Sequence, residues 1–216
     1  YALSTEPATL LAATPGYDHQ LFIAYQEGAQ VLHRRITADN QLTPATVLAN
    51  VPTDIALTSA DIDLFFNPYG NGQHLAVWRV ISSSGATELW YRYWIPRTDW
   101  QAATLLHEAS APLALPEVRG FQSGFIQQLW QDGATLYLKQ YEPNKREWTG
   151  PHIVPQEYGA LALAEHFTAQ PTANDTTRSL VAFTDVTTGR LVLKRWHIGT
   201  DPTSRLNTFT LPEGYD

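Results

Sequence analysis

Apolar and polar residues alternate along most of the chain in short runs broken by Gly, Pro, Asn and Asp. That is the periodicity of half-buried strands, and no stretch shows the spacing of an amphipathic helix. Four segments repeat one layout. "QLFIAYQEGAQVLHRRI", "HLAVWRVISSSGATELWYRYWI", "FIQQLWQDGATLYLKQYE" and "SLVAFTDVTTGRLVLKRWHI" each run from an apolar strand through a glycine turn into a strand with a basic residue. The aromatic residue that closes the first strand of each pair is Tyr25, Trp78, Trp130 or Phe183, at spacings of 53, 52 and 53 residues. Turn glycines follow at Gly28, Gly85, Gly133 and Gly189.

A shorter strand precedes each pair ("EPATLLAATP", "DIDLFFNP", "EVRGFQSG", "EHFTAQP") and another follows it ("LTPATVLA", "WQAATLLHE", "WTGPHIVP", "LNTFTLP"). The links "DIAL", "PLAL" and "ALAL" join one copy to the next. Sixteen strands are therefore predicted, four in each copy. A twisted four-stranded unit of about 50 residues can bury both faces by stacking on its neighbours around an axis, which also protects its edges. The expected fold is all-β: a four-bladed β-propeller with four antiparallel strands per blade, one domain over residues 1–216. Blades are expected near residues 1–57, 58–115, 116–163 and 164–216. A larger ring shared by two chains, a fragment of a larger ring and a β-sandwich are the alternatives.

Aligning the third strands places Arg34, Arg92, Lys139 and Lys194 at one position, four basic residues out of four in a chain with only 14 Lys and Arg. Side chains alternate along a strand, so the same face carries Leu32, Trp90, Tyr137 and Val192 before the cations and Ile36, Trp94, Tyr141 and Trp196 after them. A cation among such neighbours can lie over a ring or pack its aliphatic stem. Two roles are open: ligand binding, or a repeated ion pair between blades. Acids for such pairs recur: Glu6, Asp61, Glu117 and Glu165 are expected to open the first strands, and Asp39, Asp99, Glu147 and Asp201 to occupy the turn before the last ones. The first set would line a central channel, where mutual repulsion would be relieved by Ca²⁺ or another hard cation, by raised pKa values or by the basic column.

The excess of 21 Asp and Glu gives a net charge of −7, which argues against nucleic acid or anionic lipid as partner. No run reaches the roughly 18 apolar residues of a membrane-spanning helix, so no membrane insertion is expected. Without cysteine there is no disulfide, thiolate metal site or thiol nucleophile. The opening at Tyr1 rather than Met is expected of a processed or excised product, and the Asn174-Asp175-Thr176 sequon matters to a chain secreted by a eukaryote. A secreted or extracellular location is expected on that ground. The seven histidines fit no metal-ligand spacing, and no nucleophile elbow, phosphate loop or dinucleotide fingerprint is present.

The succession of "HLAVW", a glycine turn, "ELWYRYW" and "TDWQAATLL" resembles the blades of sialidase-like propellers and of the fungal and bacterial fucose-binding lectins. In those lectins a sugar sits between adjacent blades, with an Arg and an acid on its hydroxyls and an aromatic ring on its apolar face. The resemblance implies Arg34, Arg92, Lys139, Lys194, Trp94, Tyr141 and Trp196 as ligand-binding residues. The Ser-x-Asp-x-Gly-x-x-Trp box of sialidases is absent, which disfavours hydrolysis. "DIDLFF" and "LWYRYW" also resemble the hemopexin-like domain, a four-bladed scaffold for protein contacts with an ion-holding channel. The expected function is non-enzymatic binding of a glycan or glycoprotein between blades. A protein-interaction scaffold, a homodimer and a glycoside hydrolase are the other readings.

Overall fold

The computed structural model describes residues 3–16, 19–67, 72–94, 99–120, 124–133, 135–153, 168–172, 175–185, 190–197 and 207–210, the last four stretches as backbone. All sixteen expected strands form. They are β1 (Thr9–Pro15), β2 (Leu21–Glu27), β3 (Gln30–Ile36), β4 (Thr46–Asn50), β5 (Ile62–Asn67), β6 (Gln73–Ile81), β7 (Thr87–Trp94) and β8 (Thr104–Ala109). Then come β9 (Glu117–Gly120), β10 (Ile126–Asp132), β11 (Thr135–Glu142), β12 (Glu147–Ile153), β13 (Thr168–Thr172), β14 (Asp175–Asp185), β15 (Arg190–His197) and β16 (Asn207–Thr210). They make four antiparallel meanders of four consecutive strands, with no helix among the described residues. The chain falls into two compact units, residues 1–115 with the first two sheets and residues 116–216 with the last two.

The fourfold repeat holds at the level of individual rungs. In each central hairpin the closing aromatic faces one position of the next strand: Tyr25↔Leu32, Trp78↔Trp90, Trp130↔Tyr137 and Phe183↔Val192. Two rungs on, the basic residues coincide as Ile23↔Arg34, Ala76↔Arg92, Gln128↔Lys139 and Val181↔Lys194. The hairpins Glu27↔Gln30 and Asp132↔Thr135 leave only two residues to reverse the chain. Gly28 and Gly133 do so at φ of 56° and 55°, in the left-handed region where a Cβ is costly. Gly189 lies outside the described residues.

The acids of the first strands are less regular than expected. Asp61 directly precedes β5 and Glu117 opens β9, but β1 starts only at Thr9, so Glu6 lies three residues ahead of it, exposed. Pro7 follows Glu6 and has no N–H to give a ladder, and Glu6 instead donates its N–H to Ser4 Oγ at 3.0 Å. Glu165 lies outside the described residues.

In the first unit the two sheets bury a shared core of Leu11, Phe22, Leu48, Leu57, Ile62, Leu64, Trp78 and Trp100. Burying one such side chain is worth about 1.5–3 kcal/mol, so this core is the main hold between the sheets. Side chains also grip the links. Buried Gln26 accepts from Leu57 N at 2.8 Å and donates to the carbonyls of Gly28 (2.9 Å) and Ile55 (3.0 Å). In the second unit, Trp130 stacks on Tyr137 at 5.5 Å, and Gly150 takes φ +93° where a Cβ would lie 2.8 Å from the Leu138 carbonyl oxygen.

Candidate functional site

The face of β7 that carries Glu88, Trp90, Arg92 and Trp94 looks across a groove at the outer strand β4 and the link that follows it. Arg92 bridges this groove. Its Nη1 donates to the Val47 and Leu48 carbonyls of β4, the latter at 3.2 Å, and its Nε donates to Gln101 O at 2.6 Å. Fork-shaped, permanently charged donors suit such a set of backbone acceptors. The bridge leaves one cleft on the Thr46 side and another on the Ala49 side.

The first cleft holds about 380 Å³ and is lined by Phe22, His33, Arg35, Thr43, Trp94, Asp99 and Trp100, among others. Each sheet contributes one face. Phe22 and Arg35 are cross-strand partners on β2 and β3, and Trp94 faces His74 across β7 and β6. The Phe22 and His74 rings stack at 3.4 Å across the two sheets, with Trp94 edge-on to both at 5.5 and 5.4 Å. The Arg35 guanidinium carbon lies 5.9 Å from the Phe22 ring centre and 6.0 Å from that of Trp94, within cation–π range. Its strand end is fixed because Arg35 N donates to Thr43 Oγ1 and Thr43 N to Arg35 O, both at 2.9 Å. Asp99 is exposed at the rim, its Oδ1 accepting from Trp100 N at 2.7 Å.

Buried His33 accepts from Trp100 Nε1 at 3.3 Å through Nδ1, which places its own proton on Nε2. That Nε2 is buried without a partner among the described residues. Burial, and then the Arg35 charge, push the His33 pKa down to about 4, against a smaller opposing pull from Asp99. Burial, His33 and Arg35 push His74 down to about 3. Both rings are therefore neutral near pH 7. The cleft combines aromatic faces, one cation, one carboxylate and hydroxyl groups of Thr43 and Thr46 in one opening.

Of the residues expected to bind a ligand, Trp94 lies in this cleft. Arg34 instead donates from Nε to Tyr25 Oη at 3.1 Å, and Arg92 serves the bridge, so neither is ion-paired to an acid among the described residues. Lys139 and Tyr141 are buried in the second unit, where desolvation lowers the Lys139 pKa and Tyr141 packs 5.4 Å from Trp148. Lys194 and Trp196 hold rungs opposite Val181 and Ser179. Arg35, His33 and Trp100 were missed, and Asp99 was expected only as an acid for an ion pair. The available signal was that the cleft takes opposite faces from its two sheets, so the neighbour of the aligned cation was the residue to follow.

Two of the expected carboxylates, Asp61 and Glu117, are ion-paired within their own blades. Asp61 Oδ1 accepts from Arg79 Nε at 2.8 Å, and Oδ2 accepts from Thr58 N and Oγ1 at 2.8 and 2.6 Å. Burial pushes the Asp61 carboxyl up, but these bonds and the Arg79 charge outweigh it and hold the pKa below the ordinary value. Glu117 pairs with Arg119. Among the described residues no three His, Asp or Glu side chains gather closely enough to hold a metal ion.

No protein family and no curated protein matches the sequence. Among solved structures the chain is similar to the virginiamycin B lyase of Staphylococcus aureus, an inactive variant with quinupristin: TM-score 0.50, 8% identity, 99% of this chain and 59% of that one. It is similar to a prolyl endopeptidase at TM-score 0.56 and 12% identity, over 96% of this chain and 29% of that one. A variant of AofleA from Arthrobotrys oligospora gives TM-score 0.47 and 11% identity, over 95% and 58%. The chain thus spans less than two thirds of the length of each. At such identities the likeness shows the fold alone: the four-stranded sheets are β-propeller blades.

Proposed function

We propose that the protein is a non-enzymatic propeller that binds carbohydrate, free or on a glycoprotein, in the cleft between its first two blades. The cleft with Trp94, Arg35 and Asp99 carries this reading. A sugar ring offers a flat apolar C–H face and a rim of hydroxyls, and needs both recognised together. Trp94 supplies an aromatic surface. Arg35, held beside that ring, supplies planar donors, Asp99 an acceptor, and His33 a buried N–H that a ligand hydroxyl would satisfy. The aligned cations Arg34 and Arg92 are assigned to packing in this reading, and binding to the residues beside them. Secretion of the chain belongs to the same proposal.

A glycan array followed by calorimetry tests it. The expected result is a glycan that binds at millimolar concentration or below and is lost in Trp94→Ala while the protein stays folded. A folded protein that binds no sugar at millimolar concentration overturns the proposal. Mass in solution tests the association state: one chain of 24.1 kDa is expected, and twice that mass would mean a homodimer.

A further inference from the structure

The second cleft of the same groove differs from the first in charge. It holds about 400 Å³, with walls that include Pro52 and Ile55 from the first blade and Trp78, Val80, Glu88 and Trp90 from the second. Among the described residues that line it, Glu88 is the one with a charge and none is Arg or Lys. Trp90 lies parallel to buried Trp78, with 8° between the rings and 6.5 Å between their centres. Its Nε1 donates to Glu88 Oε2 at 2.9 Å, which fixes a carboxylate at the edge of the indole and leaves Oε1 to a ligand. On the adjoining strand Glu108 stands directly opposite Glu88, so both carboxylates project from the same face. Like charges at such a rung repel, and neither is ion-paired among the described residues.

An indole face attracts a cation electrostatically, an apolar wall accepts methyl groups, and a carboxylate supplies the counter-charge. We propose that this cleft binds an organic ammonium ion, with its methyl groups against Trp90 and Ile55 and its charge shared between the indole face and Glu88. A neutral apolar ligand would gain from the walls but would leave the two carboxylates in repulsion. An anion would meet both of them. The chain's net charge of −7 further favours a cationic ligand.

The probe pair is choline and 3,3-dimethylbutan-1-ol, equal in shape and different in charge, titrated at constant ionic strength while the Trp90 indole N–H signal is followed by NMR. Choline is expected to shift that signal saturably, and the neutral alcohol to bind at least about tenfold more weakly. Glu88→Gln should weaken choline severalfold and leave the alcohol unchanged, and Trp90→Leu should abolish the choline response at a second indole reporter, Trp78. Equal binding of the two probes, no shift with either, or choline affinity unchanged in Glu88→Gln would each overturn the proposal. Glu88 is exposed, so the charge test stands even where the Trp90 variant fails to fold.

Discussion

Trp90 and Trp94 project from the same face of β7 on either side of Arg92, and each lines a different cleft. Trp90, Arg92 and Trp94 thus build the wall between the two clefts as well as one side of each.

Arg92→Ala removes the bridge to Val47, Leu48 and Gln101 and leaves the partly buried Leu48 carbonyl without this donor. A loss of about 2 kcal/mol in unfolding free energy is expected, read from urea denaturation. Arg92→Lys should restore less than half, since an ammonium cannot hold the same planar set of acceptors. Equal stability of the Lys variant and the parent would contradict the bridging role.

Asp99→Asn keeps an oxygen for Trp100 N but removes the carboxylate from the rim of the first cleft. Glycan affinity should fall about tenfold by calorimetry, with a melting temperature close to the parent's, because hydrogen bonds to charged groups are worth about 1.5–3 kcal/mol. Unchanged affinity would remove Asp99 from the site.

The buried histidines set an acid limit to stability. Their folded pKa values, about 4 for His33 and about 3 for His74, lie below the value of 6.5 expected when unfolded. Between these limits the unfolded chain holds the more protons, so stability is full above pH 6.5. It declines as pH falls toward about 4 for His33 and about 3 for His74. The slope approaches about 1.4 kcal/mol per pH unit for each histidine. Urea midpoints from pH 7.5 to 4.5 should show this decline, and His33→Gln should make it shallower. A flat profile across that window would refute the assignment.

Gly150→Ala should destabilise the second unit by about 1–3 kcal/mol, because φ of +93° is unfavourable for alanine and its Cβ would meet the Leu138 carbonyl. Thermal unfolding of this variant beside a Gly28→Ala control separates the two effects, since nothing lies within 4 Å of a Cβ built on Gly28. The Gly150 variant should lose more.

Strand order and hairpin register were legible because period-two alternation and turn glycines are local signals, and the Tyr25, Trp78, Trp130 and Phe183 rungs coincide in the structure. The candidate site was legible only in Trp94 and, as an acid expected to pair with the basic column, in Asp99. Arg34 and Arg92 hold equivalent rungs on equivalent faces, whereas the first cleft joins the Arg92 face of one blade to the opposite face of its neighbour, where Arg35 and His33 point. A periodic alignment collects residues from one face and so passes over the partner face. Of the expected acid column, Glu117 opens β9 and Asp61 directly precedes β5 with both oxygens held by Arg79 and Thr58, while Glu6 lies ahead of β1.

Gln26 grips the passage from the first blade to the second at both Ile55 and Leu57, from a strand completed almost thirty residues earlier. Chain length between those two points is therefore rationed by an amide of fixed reach. An extra residue there would break one of the two contacts by which Gln26 holds the link. The same residue added to the exposed reversal at Ser83 would hang in solvent, so natural or engineered variation in length belongs at that tip.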